Sequence, residues 1–327
     1  LSVTAAMVAA IFGACIVSSV THFPSGTIIH MSNSVLVIAT GGTIACTTNA
    51  DGARVPTLTA ADLIARSGRS AEPYDAISLD SSAITFADLD LLLELLLADA
   101  TSTSPIVLTH GTDSLAETAL AIDLVLPAGR TVVLTGAQLP DDHPNADGPA
   151  NLRGAIDIAA NPPGPGVFVH FGGDTLPARG LYKCSTQSLR AFALTTDTPA
   201  ARPAPVPRAP LADLKVPILR AWPGADASLV DHVANSGVDG IVIEALGSGN
   251  VSDPMGAAIA RACERGIPVV IATSVPHGGV EFAYGGAGGG ATLGTVGALP
   301  AGPLSAGQAR IALATALASG TDPCRVL

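Results

Sequence analysis

Four short apolar runs, VLVIAT (35–40), PIVLTH (105–110), TVVLTGA (131–137) and GVFVHF (166–171), alternate with stretches of helical period. A strand that is apolar at nearly every position has no face to offer water, so it belongs in a sheet covered on both sides. Helices over Phe86–Ala98, Ser114–Leu126 and Asn151–Ala159 supply the cover. Strands joined through helices run parallel, which predicts an α/β fold with a doubly wound sheet. Hydrophobic residues make up 48% of the chain and charged residues 13%, a balance that fills a core and excludes disorder.

Past this region the texture changes. Residues 201–216, ARPAPVPRAPLADLKV, are Pro-rich without strand or helix period and read as a linker. The linker separates a larger α/β domain at 31–200 from a smaller one at 217–327. The smaller domain carries strands in VPILRAW, GIVIEAL and IPVVIAT, with helices over Ser228–Asn235, Pro254–Arg265 and Ser305–Ala318. At the other end, residues 5–17 form an unbroken apolar stretch, too short to span a membrane but as long as a signal-peptide core. No Lys or Arg precedes it, so 1–30 reads as an extension of a cytoplasmic protein, with secretion or a periplasmic location as the alternative. A net charge of −11 without a basic cluster repels a phosphate backbone and excludes nucleic acid as a partner. No membrane partner is expected either. The Cys and His residues are scattered without ligand spacing, which suggests neither a disulfide framework nor a metal site.

In an open parallel sheet, ligands bind beyond the carboxyl ends of the strands. The polar residues of this chain gather there: Thr40 and Thr43 around Gly41-Gly42, then Gly111-Thr112-Asp113, then QLPDDHPNADGP, then Arg179 and Lys183. Ser114 and Glu117 have capping-box spacing, making Ser114 the helix N-cap and leaving Thr112 and Asp113 unused by the helix. A Thr hydroxyl is too weak an acid to attack at neutral pH without a base. A partly buried Lys can accept its proton, and a carboxylate can hold that Lys in place. Thr112, Lys183 and Asp113 supply this combination, with Thr43 as a second hydroxyl on a Gly-rich loop. The loop ATGGTIA fits neither nucleotide-binding glycine motif, and no G-x-S-x-G elbow is present.

Two motifs, IATGGTIA (38–45) and VLTHGTDSLAET (107–118), resemble those of the bacterial-type L-asparaginases, the asparaginase/glutaminase amidohydrolases. Supporting segments are LTGAQLPDDHPNADGPANLRGA (134–155), LPARGLYKCST (176–186) and GSGN (247–250), so the resemblance runs from Val35 to Ala318. It implies a two-domain fold: a larger flavodoxin-like doubly wound N-terminal domain, a smaller C-terminal α/β domain, and a homotetramer of intimate dimers. It also implies hydrolysis of L-asparagine to L-aspartate and ammonia through a covalent acyl-enzyme. In that scheme Thr43 is the nucleophile, and Thr112, Asp113 and Lys183 form a second triad with Lys183 as proton acceptor. Ser81 binds the substrate carboxylate, Asp113 its ammonium group, and the Thr112 backbone N–H serves as an oxyanion donor. Asn250 reaches a neighbouring subunit's site. Every reacting group is then a protein group, so no cofactor or metal is expected.

The chain departs from the family pattern in several places. Family members often carry a Tyr on the loop after TGGTIA, where this chain has Ala53 or a neighbour. Ser82 stands where many have Gln, Leu139 where Arg is usual, and Gln308-Ala309-Arg310 where K-A-R is usual. The missing Tyr and altered Arg leave a non-catalytic amino-acid-binding homologue as an alternative, and the single methylene between asparagine and glutamine leaves a glutaminase-asparaginase as another.

Overall fold

The computed structural model describes residues 34–98 and 104–327, so the extension read at 1–30 lies outside the described residues. In chain order the N-terminal part holds β1 (Leu36–Gly41), β2 (Cys46–Thr48), β3 (Arg54–Pro56), α1 (Ala60–Ser67) and β4 (Glu72–Leu79). There follow α2 (Phe86–Ala98), β5 (Ile106–Thr109), α3 (Leu115–Val125), β6 (Thr131–Thr135) and α4 (Gly148–Ala160). Then come β7 (Gly166–Phe171), β8 (Asp174–Pro177), β9 (Leu181–Lys183) and β10 (Phe192–Leu194). The C-terminal part adds β11 (Ile218–Arg220), α5 (Ser228–Ala234), β12 (Ile241–Ala245), α6 (Asp253–Glu264) and β13 (Val269–Thr273). It ends with α7 (Gly290–Thr295), β14 (Leu299–Pro300) and α8 (Ala306–Ser319).

Side-chain parity sorts the apolar strands into layers, because successive residues face opposite sides of a sheet. Leu36, Ile38, Ile106, Leu108, Val132 and Leu134 pack against α2 and α3. Their alternates Val35, Val37, Val107 and Val133 pack with Leu63, Leu152 and Ile156, from α1 and α4. The sheet order is β4-β1-β5-β6-β7-β8. Its first five strands are parallel, in the flavodoxin order, and the direction of winding reverses between β1 and β5. The last strand differs from the expectation of an all-parallel sheet. β8 runs antiparallel to β7 because Gly172 and Gly173, both at positive φ, turn the chain back within two residues.

The C-terminal sheet is parallel throughout, in the order β11-β12-β13-β14. One face of it, Ile241, Ile243, Val269 and Ile271, packs with Val230, Met255 and Ile259 of α5 and α6. Val242 and Val270 face the other way and join the large core, where α8 on the C-terminal sheet packs against α3 on the larger one. The Pro-rich segment has no helix or strand but is fastened down. Arg202 Nη2 donates to Asp123 O and Leu126 O at 2.7 Å, and the Asp90 carboxylate accepts from the N–H groups of Leu211 and Ala212. Among the described residues, no helix is long and apolar enough to cross a membrane.

Candidate active site

Three loops leave the carboxyl ends of β4, β1 and β5 and meet where the winding reverses. Glycine makes the meeting possible. A Cβ on Gly42, which sits at φ +80°, would lie 2.5 Å from both Cα and N of Gly111. A Cβ on Gly111 would in turn lie 2.4 Å from Ser81 Oγ. Only residues without side chains let these backbones approach so closely. Hydrogen bonds then lock the stack: Thr40 Oγ1 donates to Thr109 O at 2.7 Å, and the Asp113 N–H donates to Ser81 Oγ at 3.2 Å.

This locking overturns the capping-box expectation. Ser114 occupies the N-cap position of α3, but its side chain makes no capping bond. Its hydroxyl donates to Ser81 O at 2.7 Å instead, drawing the loop after β4 onto the helix start. Glu117 turns towards α8, where a Cβ on Gly307 would lie 2.1 Å from Glu117 Oε1. Burial pushes the Glu117 carboxyl above the usual range, against smaller opposing effects that include the nearby Arg310.

Below the loop, His110 is buried, with its Nδ1 2.7 Å from Gly111 O and its Nε2 3.0 Å from Thr118 Oγ1. A carbonyl only accepts, so Nδ1 carries the hydrogen and Nε2 accepts from the Thr118 hydroxyl. Burial pulls the His110 pKa down to about 4, and the ring is neutral at neutral pH.

Lys183 arrives from the far end of the domain. It ends β9, which pairs antiparallel with β10. Its Nζ donates to Thr112 Oγ1 at 2.8 Å and to Asp113 Oδ1 at 2.8 Å, joining residues 71 and 70 positions apart. The Lys183 side chain is 24% exposed, so its stem is packed while the amine stays at the edge of solvent. Thr112, Asp113 and Lys183 line a cleft of about 240 Å³ together with Glu117, Glu244 and Ser305.

The other residues singled out in the sequence fall as follows. Thr43 opens a single 3₁₀ turn, Thr43–Ala45, directly after the Gly42 that abuts Gly111, so its backbone belongs to the same loop stack. Ser81 opens a similar turn after β4 and is buried. Asn250 lies elsewhere, in the loop after β12, where its Oδ1 accepts from Gly290 N at 3.3 Å. Arg179, grouped with Lys183 by position in the sequence, is buried away from the triad and donates to Val326 O and Leu327 O. Ala53, singled out on the loop after TGGTIA, is exposed in the β2–β3 turn with its N–H on Asn49 Oδ1. Among the described residues, no group of three His, Cys, Asp or Glu side chains could hold a metal ion.

Two α/β domains thus gather hydroxyls, a carboxylate and an amine at the switch point of the larger sheet. The family description Asparaginase, N-terminal matches residues 34–205, and Glutaminase/Asparaginase C-terminal domain matches residues 215–326. The chain belongs to the asparaginase family. It is 37% identical over 304 residues to a probable L-asparaginase of Deinococcus radiodurans, covering 88% of this chain and 93% of that one. With an L-asparaginase of Bacillus licheniformis the identity is 30%, over 88% of this chain and 97% of the other. The solved structure of the thermostable L-asparaginase from Thermococcus kodakarensis superposes with a TM-score of 0.76 at 28% identity, covering 89% and 95% of the two chains.

Proposed function

We propose that this protein hydrolyses the side-chain amide of L-asparagine to L-aspartate and ammonia, with Thr43 as nucleophile. The observation that carries the reading is the Lys183 amine placed 2.8 Å from both the Thr112 hydroxyl and the Asp113 carboxylate. In the scheme, Thr43 Oγ bonds to the amide carbon while Lys183 takes up a proton by way of Thr112. The tetrahedral intermediate breaks its C–N bond, and the departing nitrogen takes a proton to leave as ammonia. Water then attacks the Thr43 ester, releasing aspartate and restoring the hydroxyl. The backbone N–H of Thr112 donates to the oxyanion, where charge develops. Ser81 binds the substrate carboxylate and Asp113 its ammonium group. The working form in this reading is a homotetramer in which Asn250 serves a neighbouring subunit's site.

Ammonia release from L-asparagine by the purified protein, with Thr43→Ala and Thr112→Ala as controls, tests the reading. Steady turnover in the parent and its loss in both variants is expected. Binding without turnover would replace it with an amino-acid-binding role. Running L-glutamine alongside measures the discrimination conferred by one methylene, about 1–3 kcal/mol in an apolar pocket.

A further inference from the structure

Helix α8 is built largely from Ala, Ile and Leu, yet its third residue is Gln308, fully buried. A buried primary amide is costly unless its hydrogen bonds are satisfied. This one is satisfied by backbone from two remote segments. Gln308 Nε2 donates to Ala116 O at 3.0 Å and to Ala178 O at 2.6 Å, and its Oε1 accepts from Gly180 N at 2.9 Å. Ala116 lies in the first turn of α3, four residues past Thr112, while Ala178 and Gly180 lead directly into β9 and Lys183. The amide therefore spans the two strips of chain that carry the opposite halves of the Lys183–Thr112–Asp113 cluster. Its own placement is rigid, because Ser305 Oγ caps α8 by accepting from Gln308 N at 3.3 Å.

We propose that Gln308 is a positioning residue for the reaction, setting the separation of Lys183 from Thr112 through the backbone groups at 116, 178 and 180. The inference rests on the functional reading above, since it assigns Lys183 and Thr112 a proton transfer whose rate depends on their distance. A residue that only stabilises the fold would change the melting temperature and leave kcat of the folded enzyme alone. A positioning residue changes kcat and kcat/KM together, with KM little moved, because what is lost is made only in the transition state.

The test compares Gln308→Met, of similar length without hydrogen bonding, with Gln308→Lys, whose ammonium can donate to both carbonyls. Both are assayed well below their melting temperatures. Gln308→Met is expected to lower kcat about ten-fold or more at nearly constant KM, the size of effect that slight misplacement of reacting groups produces. Gln308→Lys is expected to recover most of that loss. A folded Gln308→Met enzyme with parental kcat would overturn the proposal, as would Gln308→Lys behaving no better than Met. If the Met variant does not fold, Gln308→Glu takes its place: it keeps an acceptor for Gly180 but not the paired donors, and should remain well below Lys. Amide exchange over 178–183 supplies a readout independent of turnover. Faster exchange in the variants supports the bridge and unchanged exchange overturns it, whereas a parent inert on asparagine overturns only the functional reading.

Discussion

The loops after β5 and after β12 occupy equivalent places, each at the carboxyl end of a central parallel strand, and they do opposite things. In Leu246–Asn250 the polar groups turn inwards: Leu246 N donates to Asn250 O at 2.9 Å, Asn250 N returns the bond to Leu246 O at 2.8 Å, and the Asn250 side chain goes to Gly290. In Thr109–Asp113 the backbone is held by neighbouring strands and by Ser81, and the side chains of Thr112 and Asp113 are left to meet Lys183. Strand topology makes a place for chemistry. What a loop can meet within its own chain depends on which polar groups it leaves available after satisfying its own backbone.

Replacing Lys183 by Met is the largest break in this contrast. In the proposed mechanism Lys183 takes up the proton, and removing such a base costs about 10²–10⁴-fold in rate, so kcat for ammonia release should fall by that order, whereas Asn250→Ala in a dilute monomer should leave the N-terminal loops unchanged in amide exchange. Retained turnover in Lys183→Met would mean that another group takes the proton.

Acid provides the second contrast. His110 is held at about 4 by burial, below the ordinary value near 6.5, so between those pH values the unfolded chain binds a proton that the native chain does not. The stability tied to His110 is therefore complete above about pH 6.5 and is lost as pH falls towards 4, a total of about 3 kcal/mol. The loop at 246–250 has no titratable residue and should not respond. Urea unfolding of the parent and of His110→Gln across this range measures the effect; equal pH slopes would show that His110 is not its source.

The smallest effects separate the glycines. Gly42→Ala places a methyl 2.5 Å from Gly111 backbone, while Gly249→Ala meets side chains alone, Val280 Cγ1 nearest at 2.8 Å. Both positions have positive φ, so each variant should lose roughly 1–3 kcal/mol of stability. Only Gly42→Ala should also lose activity at temperatures where it remains folded, because only that clash lies in the stack beneath Thr43.

Four of the five parallel strands of the larger sheet were legible because each is a continuous β-branched or apolar run, and the structure places them within a residue or two of the expected bounds. What escaped notice shared no such signal. β4 reads EPYDAISL, a mixed edge strand with polar residues throughout, and α1 is a single short amphipathic helix. Ser81 follows β4, so nothing but the family resemblance marked it. The capping-box spacing of Ser114 and Glu117 misled because two distant partners, Ser81 and α8, compete for those side chains and win. Gln308 stood out only as a departure from K-A-R, since a buried bridge between remote backbone segments leaves no local pattern.

Sequence alone determined the layers and the kinds of group at the strand ends, because burial and backbone conformation are written in short-range patterns of apolar residues and glycine. Tertiary structure decided which of those groups touch. Thr112 and Lys183 are joined across 71 positions by a sheet order, a hairpin and a buried amide, and no local preference specifies a distance of that kind.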